Sequence, residues 1–159
     1  MPELAAVGRD AVEELYGSYY DCLDAVELDK WPTHFAETCL YRIVSRENYE
    51  QGLRLSIVIA ESRGMLFDRV TGLLKTQVYA PRYYRRFPAP LRIRHVRDER
   101  LPVEHNLLVV QTLTDKQSEI VLSARCRDAL VVEDGKLLIK ERVVVLDTEM
   151  IPNSLIYPA

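Results

Sequence analysis

Three cysteines and three histidines among 159 residues leave little material for metal or redox chemistry. Cys22, Cys39 and Cys126 are odd in number, far apart and without a CxxC pair. They read as reduced, buried thiols of a cytoplasmic protein, not as a disulfide framework. His34, His95 and His105 fall into no HxxxH or HxxEH spacing, so a surface or hydrogen-bonded role is expected for each. The six glycines are scattered and build no phosphate-binding loop, and no GxSxG nucleophile turn occurs. No apolar run approaches the roughly 18 residues of a membrane span. Met1 to Asp10 lacks a basic stretch followed by an apolar core, so no secretory signal is expected. A net charge of −3 argues against general attraction to nucleic acid or to an anionic membrane.

What is present is a long β-rich stretch, Leu101 to Asp147. Leu107 to Val110, Ser118 to Val132 and Lys136 to Asp147 read as strands, the last two joined by Asp134-Gly135. That dipeptide suits the positive φ that both central residues of a tight hairpin turn require. With a two-residue loop, Glu133 faces Lys136, Leu130 faces Ile139, Cys126 faces Val143 and Ala124 faces Val145. Asp128 then lies opposite Glu141 on the apolar face. The other face carries Arg127 opposite Arg142, with Arg125 and Lys140 nearby, a basic strip that calls for acidic or carbonyl partners. Two carboxylates facing each other would raise one pKa, as a general acid or base requires. A basic side chain from a covering element (Arg42, Arg63 or Arg69) would instead neutralise them.

The rest of the chain supplies the cover. Val12, Leu15, Tyr16, Tyr19, Leu23 and Val26 recur at helical spacing within Arg9 to Glu27. Asp10 and Glu13 have the spacing of a capping box. Asp29 to Phe35 reads as a short helix with Pro32 in its first turn and Trp31 and Phe35 on one face. Leu40 to Val44 is expected as a strand. Leu53 to Ala60 is expected as a strand buried on both sides, with a helix as the alternative its apolar run also allows, and Ser62 to Leu74 as a helix. Pro81, Pro88 and Pro90 speak against a regular interior element between residues 80 and 90. The expectation is one α+β domain over residues 1–159, with a curved, mostly antiparallel sheet packed on N-terminal helices and enclosing a cone.

Two further stretches suggest contacts between chains. Arg82, Tyr83, Tyr84, Arg85 and Arg86 combine the residue types enriched at protein interfaces. Residues 148–159 hold apolar side chains between prolines and should dock on this domain or a neighbour. Met150, Ile151, Pro152 and Asn153 are the contact residues expected there, with Arg125, Arg127 and Arg142 on the sheet.

Several segments carry a family resemblance. They are Lys30-Trp31-Pro32 with Phe35, Tyr41-Arg42 with Arg46 to Leu53, Glu61-Ser62 with Met65 and Asp68-Arg69-Val70, and above all Glu149-Met150-Ile151-Pro152-Asn153-Ser154. In that order the chain resembles the small (beta) subunits of Rieske-type aromatic-ring-hydroxylating oxygenases, most nearly those of salicylate and terephthalate hydroxylases. The resemblance implies the cone fold shared with nuclear transport factor 2, and a beta-subunit trimer on a trimer of large subunits. It also implies that the Rieske [2Fe–2S] cluster and the mononuclear iron belong to the large subunit. The chain has no CxH with CxxH pair for the cluster and no evident two-histidine-one-carboxylate set.

Two readings follow. One is a non-catalytic assembly subunit without a cofactor of its own. The other is a cofactor-free lyase or isomerase, or a small-molecule binder, of the same cone fold, with Asp128 and Glu141 as its acid pair.

Overall fold

A computed structural model describes residues 3–76, 82–148 and 157–159. Its elements are α1 (Arg9–Asp24), β1 (Phe35–Ser45), α2 (Arg46–Glu50), β2 (Val58–Ala60), α3 (Arg63–Thr76), β3 (Arg82–Pro88), β4 (Arg92–Ile93), β5 (Leu101–Leu113), β6 (Glu119–Glu133) and β7 (Lys136–Leu146). Short 3₁₀ turns lie at Leu4–Ala6 and Trp31–His34. The strands form one sheet in the order β2-β1-β7-β6-β5-β3, with β4 paired to β5. Among the described residues only the β1–β7 pairing is parallel. The expected α+β architecture, a curved sheet closed over N-terminal helices, is the architecture found.

The helix α1 lies across the sheet because its stripe of Val12, Tyr16, Tyr19, Tyr20 and Leu23 is buried. It starts one residue before the expected cap. Gly8 holds the cap position without a side-chain bond, and Asp10 sits inside the first turn, where its charge favours the positive end of the helix dipole. Trp31, Phe35 and Tyr41 meet edge to face, with ring centroids 5.1–6.0 Å apart, so Trp31 is a core residue. Phe35 belongs to β1, not to a helix, and extends that strand five residues beyond expectation.

Two segments depart from expectation. Of Leu53 to Ala60 only Val58 and Ala60 point into the core, and Leu53, Leu55, Ile57 and Ile59 are exposed. Residues 82–88 form a regular strand despite the neighbouring prolines. β3 lies at the sheet edge and pairs only with β5, where a proline such as Pro88 costs no ladder bond on the open side.

The hairpin between β6 and β7 turns at Asp134 and Gly135, with φ of 50° and 75°. Glu133 faces Lys136 and Leu130 faces Ile139, as the loop length dictates. Beyond Ala129 the register slips by one, because Lys140 is an extra residue, a β-bulge. Asp128 therefore faces Arg142, Cys126 faces Val144 and Ala124 faces Leu146. This corrects the expected Asp128–Glu141 and Arg127–Arg142 pairs. A one-residue slip exchanges the two faces of a strand, so Arg142 turns into the core and Glu141 turns outward.

The two kinds of glycine environment can be separated by experiment. Gly135→Ala places a side chain at φ +75° and should cost about 1–2 kcal/mol. Gly17 is exposed within α1 with open space beside it, and Gly17→Ala should add about 0.4–1 kcal/mol. Urea unfolding of both variants checks the opposite signs.

Candidate functional site

The inner face of the sheet and the inner face of α1 converge on a buried polar cluster. The bulge at Lys140 delivers Arg142 to it from β7, while β6 delivers Asp128, β5 His105, and α1 its tyrosines. Arg142 is fully buried. Its Nη1 donates to Asp128 Oδ2 at 2.7 Å, its Nη2 to the Tyr20 hydroxyl at 2.6 Å, and its Nε to Ala159 O at 3.2 Å. The guanidinium also lies 4.6 Å from the centroid of the Tyr19 ring. Such a cation is tolerable in the interior only because nearly every donor is engaged.

The partners are themselves held. The Tyr16 hydroxyl donates to Asp128 Oδ2 at 2.7 Å. Tyr20 Oη, which accepts from Arg142, lies 2.6 Å from His105 Nε2. Trp31 Nε1 donates to the Tyr19 hydroxyl at 3.0 Å, and Tyr19 donates to Ala159 O at 2.6 Å. Ala159 N donates to the Tyr41 hydroxyl at 3.0 Å. Within this cluster, Asp128 Oδ1 and His105 Nδ1 are buried and have no partner among the described residues.

Burial dominates the electrostatics. It pushes the Asp128 carboxyl above its ordinary range, against the opposing pull of Arg142 and the Tyr16 hydrogen bond. It also raises Tyr16 and Tyr20 well above 10, so both remain hydroxyl donors. His105 is lowered from 6.5 to about 3, by burial first and by Arg142 second, and is neutral at physiological pH. The same burial raises Cys126 to about 12 and Cys22 and Cys39 to about 11, which leaves unreactive thiols. All three cysteines are free and buried.

The residues expected at contacts lie in different surroundings. Tyr83 (73 % exposed) and Arg85 stand open on the edge strand β3, with Arg82 half-exposed beside Gln111. Arg125 and Arg127 lie on the outer face, where both meet Glu104, joined by Arg94. Arg127 also stacks over the Tyr49 ring. Arg86 and Arg142 are corrections: both are buried within this chain. Arg86 binds Asp24 at 2.8 Å and Pro158 O at 2.5 Å. Tyr84 is half-buried against Tyr157. Met150, Ile151, Pro152 and Asn153 lie outside the described residues.

Glu141 is not part of the cluster. It pairs with Arg100 on the outer face, at partial exposure. None of Arg42, Arg63 or Arg69 neutralises Asp128. Arg142, three residues past Ile139 of the last pair before the bulge, does so. The tyrosines and His105 were not anticipated as a polar network. One signal was available: Tyr16, Tyr19 and Tyr20 share the buried stripe of one helix, and buried hydroxyls require partners.

As chemistry, the cluster is a closed ion pair. Both carboxylates of the expected acid pair are engaged by arginines and point to opposite faces. Among the described residues no group of three His, Cys, Asp or Glu stands close enough to hold a metal ion, and no helix is long and apolar enough to cross a membrane.

Comparison with known proteins places this geometry. Residues 21–153 match the family model described as ring hydroxylating beta subunit. The chain is 33 % identical to the anthranilate 1,2-dioxygenase small subunit of Burkholderia cepacia, over 91 % of this chain and 89 % of that one. It is 27 % identical to a terephthalate 1,2-dioxygenase terminal oxygenase beta subunit of a Comamonas species, over 89 % and 92 %. Among solved structures, a beta subunit assigned to an aromatic-ring-hydroxylating dioxygenase of Novosphingobium aromaticivorans superposes with a TM-score of 0.84. That match has 30 % identity and covers 98 % of both chains.

The cluster generates two predictions. Arg142→Met strands a buried carboxylate and should cost about 3–5 kcal/mol, whereas Asp128→Leu with Arg142→Met should recover most of that loss; urea titration of the three proteins compares them. His105 binds its proton near pH 6.5 when unfolded and only near 3 when folded. Its contribution is therefore intact above pH 6.5 and lost as pH falls from 6.5 towards 3, by up to about 1.4 kcal/mol per pH unit. Stability measured between pH 7 and 4 should fall less steeply in His105→Gln than in the unsubstituted chain.

Proposed function

The chain belongs to the ring hydroxylating beta subunit family, and from that premise we propose that it is the non-catalytic small subunit of a multicomponent aromatic-ring-hydroxylating oxygenase. Its role is to support assembly of an iron-containing large subunit in the catabolism of aromatic compounds. The observation that carries the reading is the filled cone. Where a cone-fold enzyme would open to substrate, this chain places the Arg142–Asp128 pair, four tyrosine hydroxyls and its own Pro158 and Ala159.

The Rieske cluster and the mononuclear iron are assigned to the large subunit. The donor set of this chain fits neither: its cysteines are three isolated, protonated thiols, and His105 is committed to Tyr20 and His34 to Ser18. The proposed assembly is a beta trimer within a hexamer, located in the cytoplasm.

Exposed surfaces support docking. Arg125 and Arg127 outnumber the single Glu104 between them, and Arg127 over Tyr49 connects this strip to the segment bearing Leu53 and Leu55 (74 % exposed). Apolar side chains open beside arginines are a composition suited to a protein partner. Tyr83 and Arg85 extend the proposed contact set along β3.

Co-expression with a cognate large subunit tests this. A stable mixed oligomer is expected, with iron following the large subunit, and failure to co-purify at any salt concentration would contradict the proposal. Leu55→Asp with Arg127→Gln should weaken co-purification while changing the stability of the isolated chain by no more than about 1 kcal/mol.

A further inference from the structure

The exposed apolar side chains are not scattered over the surface. Of the twelve large ones among the described residues, seven fall within residues 53–74, and three, Tyr83, Phe87 and Ile120, lie at the far side of the sheet. These two regions coincide with the two ends of the strand order, β2 and β3, each of which has an open edge. At the β2 edge Ile57 and Ile59 stand open, and the Glu61 N–H donates to Met65 Sδ at 3.3 Å, which brings Met65 of α3 to the end of β2. At the β3 edge Tyr83, Arg85 and Phe87 alternate along the outer face, opposite in direction to the buried Arg86. Arg85, Val110 and Ile120 stand in line across β3, β5 and β6, so Ile120 shares that face.

The two edges differ in charge. Arg85 sits between the exposed rings of Tyr83 and Phe87, whereas Glu61 and Asp68 flank Ile59, Met65 and Phe67 in sequence. All three charged residues are exposed, and none forms an ion pair among the described residues. We propose that copies of this chain meet head to tail, the β2 edge of one seated on the outer face of the β3 edge of the next. A second copy is the occupant that each edge fits, because the chain itself carries the complement of both. Pairing like edges about a two-fold axis would bring Arg85 near Arg85, or Glu61 and Asp68 near their own copies. Pairing unlike edges brings Arg85 to the carboxylates and buries both apolar regions at once. Each copy then keeps one open edge of each kind at the ends of the array, and the contact repeats until a ring closes. The inference rests on the assembly reading and deepens it by naming the surfaces at which copies meet. The strip of Arg125 and Arg127 in the middle of the outer face stays available to the large subunit.

Sedimentation velocity of the isolated full chain, without a large subunit, tests this. The unsubstituted chain should self-associate. Ile59→Asp with Phe67→Asp blocks one edge, and Tyr83→Asp with Arg85→Glu blocks the other; each variant alone should self-associate about tenfold or more weakly. An equal mixture of the two should form a heterodimer that goes no further. Each variant supplies the edge the other lacks, and the two blocked edges repel as acid against acid. Should either double variant fail to fold, the milder Arg85→Glu takes its place. It should weaken self-association, and a second copy carrying Glu61→Arg with Asp68→Arg should restore pairing with it. A chain that stays monomeric up to its solubility limit overturns the proposal. Undiminished self-association of either edge variant overturns it too, as does a mixture that pairs no better than its components. The assembly reading fails separately, when the chain self-associates as described yet never co-purifies with a large subunit.

Discussion

The Arg142–Asp128 pair is the constraint on which the interior depends. A guanidinium with no solvent contact requires acceptors for its donors, and here they are the Asp128 carboxylate, the Tyr20 hydroxyl and Ala159 O. Each acceptor recruits another element: Asp128 draws in Tyr16 of α1, Tyr20 draws in His105 of β5, and Ala159 draws in Tyr19, Tyr41 and, through Tyr19, Trp31. Helix, sheet and closing segment are thereby joined through one ion pair. Replacing such a pair by apolar side chains is often neutral, whereas removing one member is not. Its value therefore lies in specifying one packing of α1 on the sheet as much as in stability.

A single inserted residue creates this arrangement. Without the bulge at Lys140, the two-residue turn would set Glu141 against Asp128 and place Arg142 outside. With it, the alternation of β7 reverses, and an acid pair becomes a salt bridge. The outer face then keeps Arg125, Arg127 and Arg100 with Glu104 and Glu141, a solvent-facing set of ion pairs suited to a partner surface. The cone fold hosts catalysis when its interior is open, and the same fold here has most of its interior polar groups engaged with one another, Asp128 Oδ1 and His105 Nδ1 excepted. The inner face closes the chain on itself, and the outer face is the one we propose as the docking surface.

Much of the fold was legible in the sequence. The helix expected over Arg9 to Glu27, found over Arg9–Asp24 with Val26 exposed beyond its end, the Asp134-Gly135 turn and the long β6–β7 strands follow from period and turn chemistry, and the family resemblance supplied the cone. The misreadings have physical causes. A bulge leaves no mark in alternation when the residue that follows it is charged on either face, so Arg142 and Glu141 exchanged places. Leu53 to Ala60 looked buried on both sides because its apolar run cannot distinguish a covered strand from a surface awaiting a partner. The prolines near residues 81–90 exclude a central strand but not an edge strand, which is where β3 lies. The tyrosine network was hidden because Tyr16 and Tyr19 satisfy a hydrophobic pattern while carrying hydroxyls whose partners, Asp128 and Ala159, are more than a hundred residues away.

The measurement that bears most directly on the assignment is iron-normalised turnover of the assembled oxygenase carrying Tyr16→Phe and Tyr20→Phe in this subunit. Both substitutions keep the rings that pack the interior and remove the hydroxyls that a cone-fold active site would use. Turnover per iron equal to that of the unsubstituted complex is the result the assembly role predicts. A loss of about 10²–10⁴-fold, the scale of a missing general acid or base, with assembly and iron content unchanged, would contradict it and place chemistry in this chain.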